Sequence, residues 1–377
     1  MLRHESAGGV TVGAGALVAV LWSLGSPSGY RRAVNGAFGI GILAGHGLGS
    51  PRLVAVNALL VVFFFAVGLE LSREFRSGAR AEHRRAIVPA LAALGGMAAT
   101  AGVLELLGRG LGNHAVEAGW GVPMATDIAF TLGALALVGR RVPVELRVFL
   151  LTLAVADDLL AVVVLAARSH HVQPWWLLIA LAAAASVLVQ RRPAAYWCYL
   201  ALVLAWVGFV AAHVEPALAG AAIGVVVPFD HDRPGRRLER QVLPWSNAVA
   251  LPLFALTACG IAWDRLSWQR GTWQLVGSLL VARLAGKVLG ITGAVLVARW
   301  RGLSLAAELT TGVVAAAAVL CAIGFTVPLL FAGSVYGSGS ADYAAATVAL
   351  LATSLLAAAL GITTLRLVLG RRRNSVS

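Results

Sequence analysis

Lysine is almost missing from this sequence: Lys287 is the single one, and every other position among the 30 basic residues is arginine. Charge of any kind is scarce. Asp, Glu, Lys and Arg make up 12% of the 377 residues, against 59% hydrophobic, and the mean hydropathy is +0.83. About a quarter of an ordinary soluble domain is charged, so this composition argues against a water-soluble enzyme and for a bilayer as solvent. Cysteine is rare too. Cys198, Cys259 and Cys321 are odd in number and all lie in apolar runs, which suggests packing and argues against both a disulfide framework and a spaced metal site. Histidine adds no metal motif: His170-His171 and Asp230-His231-Asp232 stand in loops without further His or Cys at ligand spacing, and read as solvated loop residues. The net charge of +13 is spread loop by loop, with no basic domain for nucleic acid.

Apolar runs are what the sequence does have. At about 17 to 25 residues per crossing plus a short loop, the length leaves room for about 12 spans. Their expected cores are 10–25, 53–71, 86–107, 115–138, 144–167, 174–189, 195–212, 215–228, 243–263, 272–298, 306–333 and 343–366. Arg3 before the first run, with Ser23-Leu24-Gly25 behind it, leaves a signal peptide as the alternative for that segment. Of the basic residues, 21 fall at the two ends and in every second loop, 7 in the other loops, and Arg283 and Lys287 inside the tenth span. By the positive-inside rule both termini are expected in the cytoplasm, as an even number of spans requires.

With that topology, Asp127, Asp157, Asp158 and Lys287 all stand well inside spans. The two aspartates interrupt "LTLAVADDLLAVVVLAA", residues 151–167. A charge near mid-bilayer costs about 2.5 to 3.5 kcal/mol on insertion scales, so four together suggest a site. Helix glue or snorkelling is the alternative reading for each one alone. Lys287 is informative by its identity, because a lysine can give up its proton where arginine does not.

Two spans carry breakers beside polar groups. In "GWGVPMATDIAF" Gly121 and Pro123 precede Thr126 and Asp127, and in "LCAIGFTVPLLFAG" Gly324, Thr326 and Pro328 lie mid-span. Each predicts either a proline kink or a central unwinding, and unwound backbone is tolerated at membrane depth only where protein or a polar cavity satisfies it. The two sit in corresponding places of spans 3–5 and 10–12, which run with opposite topology. That is a pointer to the midplane site of a transporter built from inverted repeats.

These residues resemble a known family. "MATDIAFTLGALALVGRRVPVELRVFLLTLAVADDLLAVVV", residues 124–164, is similar to the signature of the NhaA-type sodium/proton antiporters, as are "VFFFAVGLELSRE" (62–74), "ALAGAAIGVVVP" (217–228), "LERQVLPW" (238–245), "GKVLGI" (286–291) and "CAIGFT" (321–326). The resemblance implies an all-α polytopic membrane protein in a bacterial inner membrane. It has about 12 transmembrane helices, inverted repeats at about 86–167 and 272–369, and interrupted helices in spans 4 and 11 that cross at mid-membrane. The whole chain, 1–377, would be a single antiporter domain whose remaining spans form a scaffold. The implied activity is electrogenic expulsion of sodium or lithium against protons, with no cofactor. By the same resemblance Asp158, Asp127 and Thr126 bind the cation, while Asp157, Asp158 and Lys287 carry protons. Glu70, Glu74 and Glu239, at the cytoplasmic ends of spans, read first as partners of nearby arginines, whereas the resemblance places a negative entry funnel there; the Gly-rich stretch 35–50 would form the external β-hairpin through which such antiporters dimerise. Sodium wants several oxygens, which carboxylate, hydroxyl and unwound carbonyl groups supply.

The sequence departs from the family at several points. Ala58 stands where an aspartate is usual, and Glu215 replaces a histidine associated with pH response. Val288 replaces a proline, and Arg283 lies one helical turn before Lys287. A sodium-coupled symporter for an organic solute and a non-transporting membrane protein are the alternative functions. The first lacks further polar groups for a solute, and the second gives no reason to keep the four charges together.

Overall fold

The computed structural model describes residues 2–37, 49–77, 80–139, 142–167, 173–190, 194–229, 234–303, 305–306 and 308–374. Among them every regular element is a helix. In chain order these are α1 (Leu2–Gly25), α2 (Pro27–Asn35) and α3, which joins Pro51–Val54, a π-helical turn Ala55–Leu59, and Leu60–Ser77. Next come α4 (Arg80–Leu111), α5 (His114–Ala118), α6 (Ile128–Val138), α7 (Val144–Ala167), α8 (Pro174–Val189), α9 (Ala195–Ala211) and α10 (Ala217–Val226). A second composite helix, α11, joins Gly235–Trp245, a π-helical turn Ser246–Ala250, and Leu251–Ala258. The series ends with α12 (Arg270–Trp300), α13 (Thr311–Leu320), α14 (Thr326–Tyr336) and α15 (Ala341–Asn374).

Among the described residues, five stretches are long and apolar enough to cross a membrane, at 51–73, 87–111, 144–165, 270–300 and 341–371, and six further apolar helices are shorter. The expected bounds of α7 and α8 coincide with those observed. Two helices start or end beyond their apolar cores, α11 at Gly235 and α15 at Asn374, because Arg, Glu and Gln continue a helix nearly as readily as apolar residues do, whereas α10, Ala217–Val226, is shorter than expected. The fourth and eleventh segments are broken. α5 and α6 are separated by 119–127, and α13 and α14 by 321–325. In both, the second half has 11 residues and ends at a glycine with positive φ, Gly139 at 91° and Gly337 at 76°, a conformation that terminates helices where a Cβ would clash. The hairpin expected near 35–50 falls largely outside the described residues, as do His170-His171 and Asp230-His231-Asp232.

The chain forms two compact units. One comprises 1–10, 81–161 and 261–377, and the other 11–80 and 162–260. In the first, Leu146, Phe149, Leu150 and Leu153 of α7 pack with Ile291 and Val295 of α12, Val313 and Ala317 of α13, and Ala357 and Leu365 of α15. Close helix contact here depends on small residues: a Cβ on Gly290 would lie 2.7 Å from that of Ala99, and one on Gly286 2.7 Å from Cα of Thr100. In hydrocarbon, where burial gives no water-driven gain, such backbone approach is a main source of helix association. It fixes the register of α12 against α4. The second unit uses the same device: Gly68 of α3 faces Gly224 of α10, with a Cβ on Gly224 falling 2.8 Å from Cα of Gly68, and Gly220 of α10 packs against the backbone of Val61 and Phe65. Its core is Phe65, Leu69, Val187, Cys198, Ile223 and Leu238.

Candidate functional site

The two helix breaks meet in the first unit. Gly121 and Pro123 cannot hold 119–127 in a helix, and Gly121 leaves no room for a side chain, since a Cβ there would overlap the ring of Phe331. Asp127 donates its backbone N–H to Ile323 O at 2.9 Å. Its Oδ2 accepts from the Thr326 hydroxyl at 3.0 Å, and its carboxylate also accepts the backbone N–H groups of Phe130 and Thr326. One aspartate thus caps the starts of α6 and α14 together, where unpaired N–H groups favour a negative charge.

The carbonyls of 320–324 all have protein donors close by. Thr131 Oγ1 approaches Leu320 O at 3.3 Å and Thr126 Oγ1 approaches Cys321 O at 2.7 Å. Ala322 O accepts from Arg283 Nε at 2.7 Å, Ile323 O from Asp127 N, and Gly324 O lies 3.3 Å from the Ser354 hydroxyl. Each carbonyl of this break thus has a hydrogen-bond donor within the protein, as backbone in an apolar medium must.

α7 and α12 bring the other charges to this junction. Lys287 Nζ donates to Asp157 Oδ2 in an ion pair with both side chains fully buried. The same Oδ2 lies 2.7 Å from Thr126 Oγ1. Because successive residues of a helix point about 100° apart, Asp158 does not share these partners. It is 1% exposed, its Oδ1 has no hydrogen-bond partner among the described residues, and the charged groups acting on it are Asp157, Asp127 and Lys287. The structure therefore brings Thr126, Asp127, Asp157, Asp158 and Lys287 together. Among the described residues no group of three His, Cys, Asp or Glu side chains is arranged to hold a metal ion.

Sequence reasoning left Arg283 without a role, and missed Ser354. Arg283 is fully buried and donates to both breaks. Its charge inside a span and its place one turn before Lys287 were the available signals. Ser354, which accepts the N–H of Gly324 at 3.2 Å, is one hydroxyl in a long apolar helix and gave none.

The remaining predicted residues belong to the second unit. Arg73 bonds Glu239 and lies 3.4 Å from Glu70, all three part-exposed; the side chain of Glu74 is outside the described set. Ala58 sits in the π-helical turn of α3. Glu215 lies in the 212–216 connection, outside the apolar helices that flank it. Burial there pushes its carboxyl up to about 7, opposed by a hydrogen bond from the backbone of Ala217, and its Oε1 has no protein partner among the described residues.

Residues 1–365 match the family described as Na+/H+ antiporter 1. A protein of Frankia casuarinae named Na(+)/H(+) antiporter NhaA is 40% identical over 330 residues, covering 83% of this chain and 74% of the relative. Proteins of the same name from Aeromonas salmonicida and Sodalis glossinidius are 33% and 36% identical, covering 98% and 100% of this chain and 96% and 97% of their own lengths.

Proposed function

The chain belongs to the Na+/H+ antiporter 1 family, and on that premise we propose that it is an electrogenic sodium/proton antiporter of a bacterial inner membrane that also accepts lithium. Asp158 is the principal cation ligand, Asp127 and Thr126 shape the site at the crossing of the two interrupted helices, and Asp157 with Lys287 carries the additional proton. The observation that carries this reading is the buried Lys287–Asp157 pair beside Asp158, whose Oδ1 has no partner.

The exchange follows from charge balance. Without cation, Lys287 as ammonium pairs with ionised Asp157, and the pair is far cheaper to keep in a low-dielectric site than either charge alone. Sodium arriving at Asp158 places a second positive charge beside the ammonium. The pair opens and the lysine proton leaves. Thr126 accommodates both protonation states of Asp157: an ionised carboxylate accepts from its hydroxyl, whereas a protonated one donates to it and the hydroxyl donates on to Cys321 O. Linkage makes the effect reciprocal, since whatever loosens the protons tightens sodium by the same factor. One proton displaced from Asp158 per sodium is electroneutral. A second from Lys287 makes the cycle move charge.

The architecture proposed with this mechanism has about 12 crossings, repeats at about 86–167 and 272–369, a single antiporter domain over 1–377 and both termini in the cytoplasm. The arginine distribution and the two matching broken segments support it. Glu70, Glu74 and Glu239 form a negative entry, Glu215 contributes to pH response, and two copies associate through 35–50. The test is sodium-induced pH change in everted membrane vesicles. Asp158→Asn, which replaces a full charge with one amide oxygen, should insert normally yet abolish the signal, and normal transport by that variant would sink the assignment.

A further inference from the structure

Arg283 takes no part in the cycle above, yet among the described residues it heads the fully buried side chains by volume. Its Nε donates to Ala322 O at 2.7 Å and one terminal nitrogen to Ala125 O at 2.8 Å, one carbonyl from each break. The other terminal nitrogen is buried with no hydrogen-bond partner among the described residues. Room for the group is made by Gly324, where a Cβ would run into the guanidinium and lie 2.9 Å from Asp127 N and 3.2 Å from Ala125 O. The acidic groups acting on Arg283 are Asp157 and Asp127.

We propose that Arg283 is a positioning residue of the exchange site: it ties the two helix breaks together through Ala125 and Ala322, and it supplies a fixed positive charge that sets the pH range in which sodium and protons compete for the carboxylates. The proposal rests on the reading of Asp157 and Asp158 as the exchanging groups. α12 then presents two cations one turn apart with opposite duties. Lys287 changes its charge during the cycle; Arg283 does not, because guanidinium stays protonated under all working conditions. Its planar fork suits two fixed carbonyls, which a single ammonium cannot hold in the same way. The titratable groups facing this centre are Asp127 and Cys321 from the two breaks, Asp157 and Asp158 from α7, and Lys287 from its own helix. A constant positive charge among them repels both competing cations, so its removal lets protons compete up to a higher pH.

The test compares Arg283→Gln, Arg283→Lys and Asp158→Asn in the full chain, in everted vesicles with matched protein amounts, scanning pH and sodium. Arg283→Gln should move the half-maximal pH upward by roughly one to three units, the span for one charge at about 12 to 4 Å with an effective interior dielectric constant near 20. Arg283→Lys keeps the charge and should hold that pH within about 0.3 unit, while raising the apparent KM for sodium roughly three- to tenfold through the lost second carbonyl bond. An unchanged pH profile in a transporting Gln variant overturns the proposal, as does an unchanged KM in the Lys variant. Should the Gln variant fail to accumulate, the Lys variant decides alone. Normal transport by Asp158→Asn overturns the underlying site instead, whereas an inactive Asp158→Asn beside unaltered Arg283 variants defeats the Arg283 proposal by itself.

Discussion

Replacing Lys287 by alanine is the perturbation that bears most directly on coupling. The substitution leaves Asp157 Oδ2 with the Thr126 hydroxyl, and Oδ1 already lacks a hydrogen-bond partner among the described residues. Taking one member from a buried ion pair costs about 3–5 kcal/mol. The cheapest relief is a proton that stays on Asp157 throughout the cycle, so the variant exchanges one sodium for one proton and moves no net charge. If the wild-type protein carries one net charge per sodium, a potential of 100 mV adds about 2.3 kcal/mol to each cycle. With 1.4 kcal/mol per factor of ten, it then sustains a sodium gradient about 40-fold steeper at that potential than at none. The Lys287→Ala variant should sustain the same gradient at both. The assay is sodium efflux from proteoliposomes with the potential clamped by potassium and valinomycin. Full-rate exchange by the variant with wild-type sensitivity to potential would make the lysine a structural prop and send the proton elsewhere.

Two other substitutions give separate readouts. Gly324→Ala puts a methyl group against Arg283 and 2.9 Å from Asp127 N, so transport should fall by about tenfold or more with the protein still in the membrane, as measured in vesicles at matched protein amount. Glu215, with its carboxyl raised from 4.5 to about 7, binds a proton in the folded state that the unfolded chain has lost between those values. Stability should therefore decline as pH rises from about 4.5 to 7 and then level off. Glu215→Gln should melt like wild type at pH 4 and be more stable at pH 8, by up to roughly 3 kcal/mol; coincident melting curves in detergent at both pH values would exclude this origin. Glu215→Gln should also shift the transport profile, and an unchanged profile would remove Glu215 from pH response.

The sequence announced the site more clearly than its wiring. Charged residues in apolar runs are expensive enough to stand out, so Asp127, Asp157, Asp158 and Lys287 were legible one by one, and Gly121, Pro123 and Gly324 marked both interruptions. Pro328 was a poorer guide, since it falls in the first turn of α14, where its missing N–H has no intrahelical partner to lose. Two things had no sequence signature. The π-helical turns at Ala55–Leu59 and Ser246–Ala250 insert a residue per turn without a change in composition. The bonds from Arg283 to Ala125 and Ala322 join positions far apart in the chain through backbone carbonyls, which every residue possesses and which therefore leave no mark in the letters.

The fit between Arg283 and Gly324 also constrains how such a chain can change over generations. With the arginine in place, alanine at 324 is opposed from both sides, by the guanidinium and by the backbone of 125–127 that the guanidinium holds close. A lineage that first lost the arginine would free that backbone to draw back by a few tenths of an ångström, and alanine could then settle at 324. From there the arginine could not return, because the space it needs would be filled. The order of the two substitutions would matter, and the second would close the door on reversal of the first.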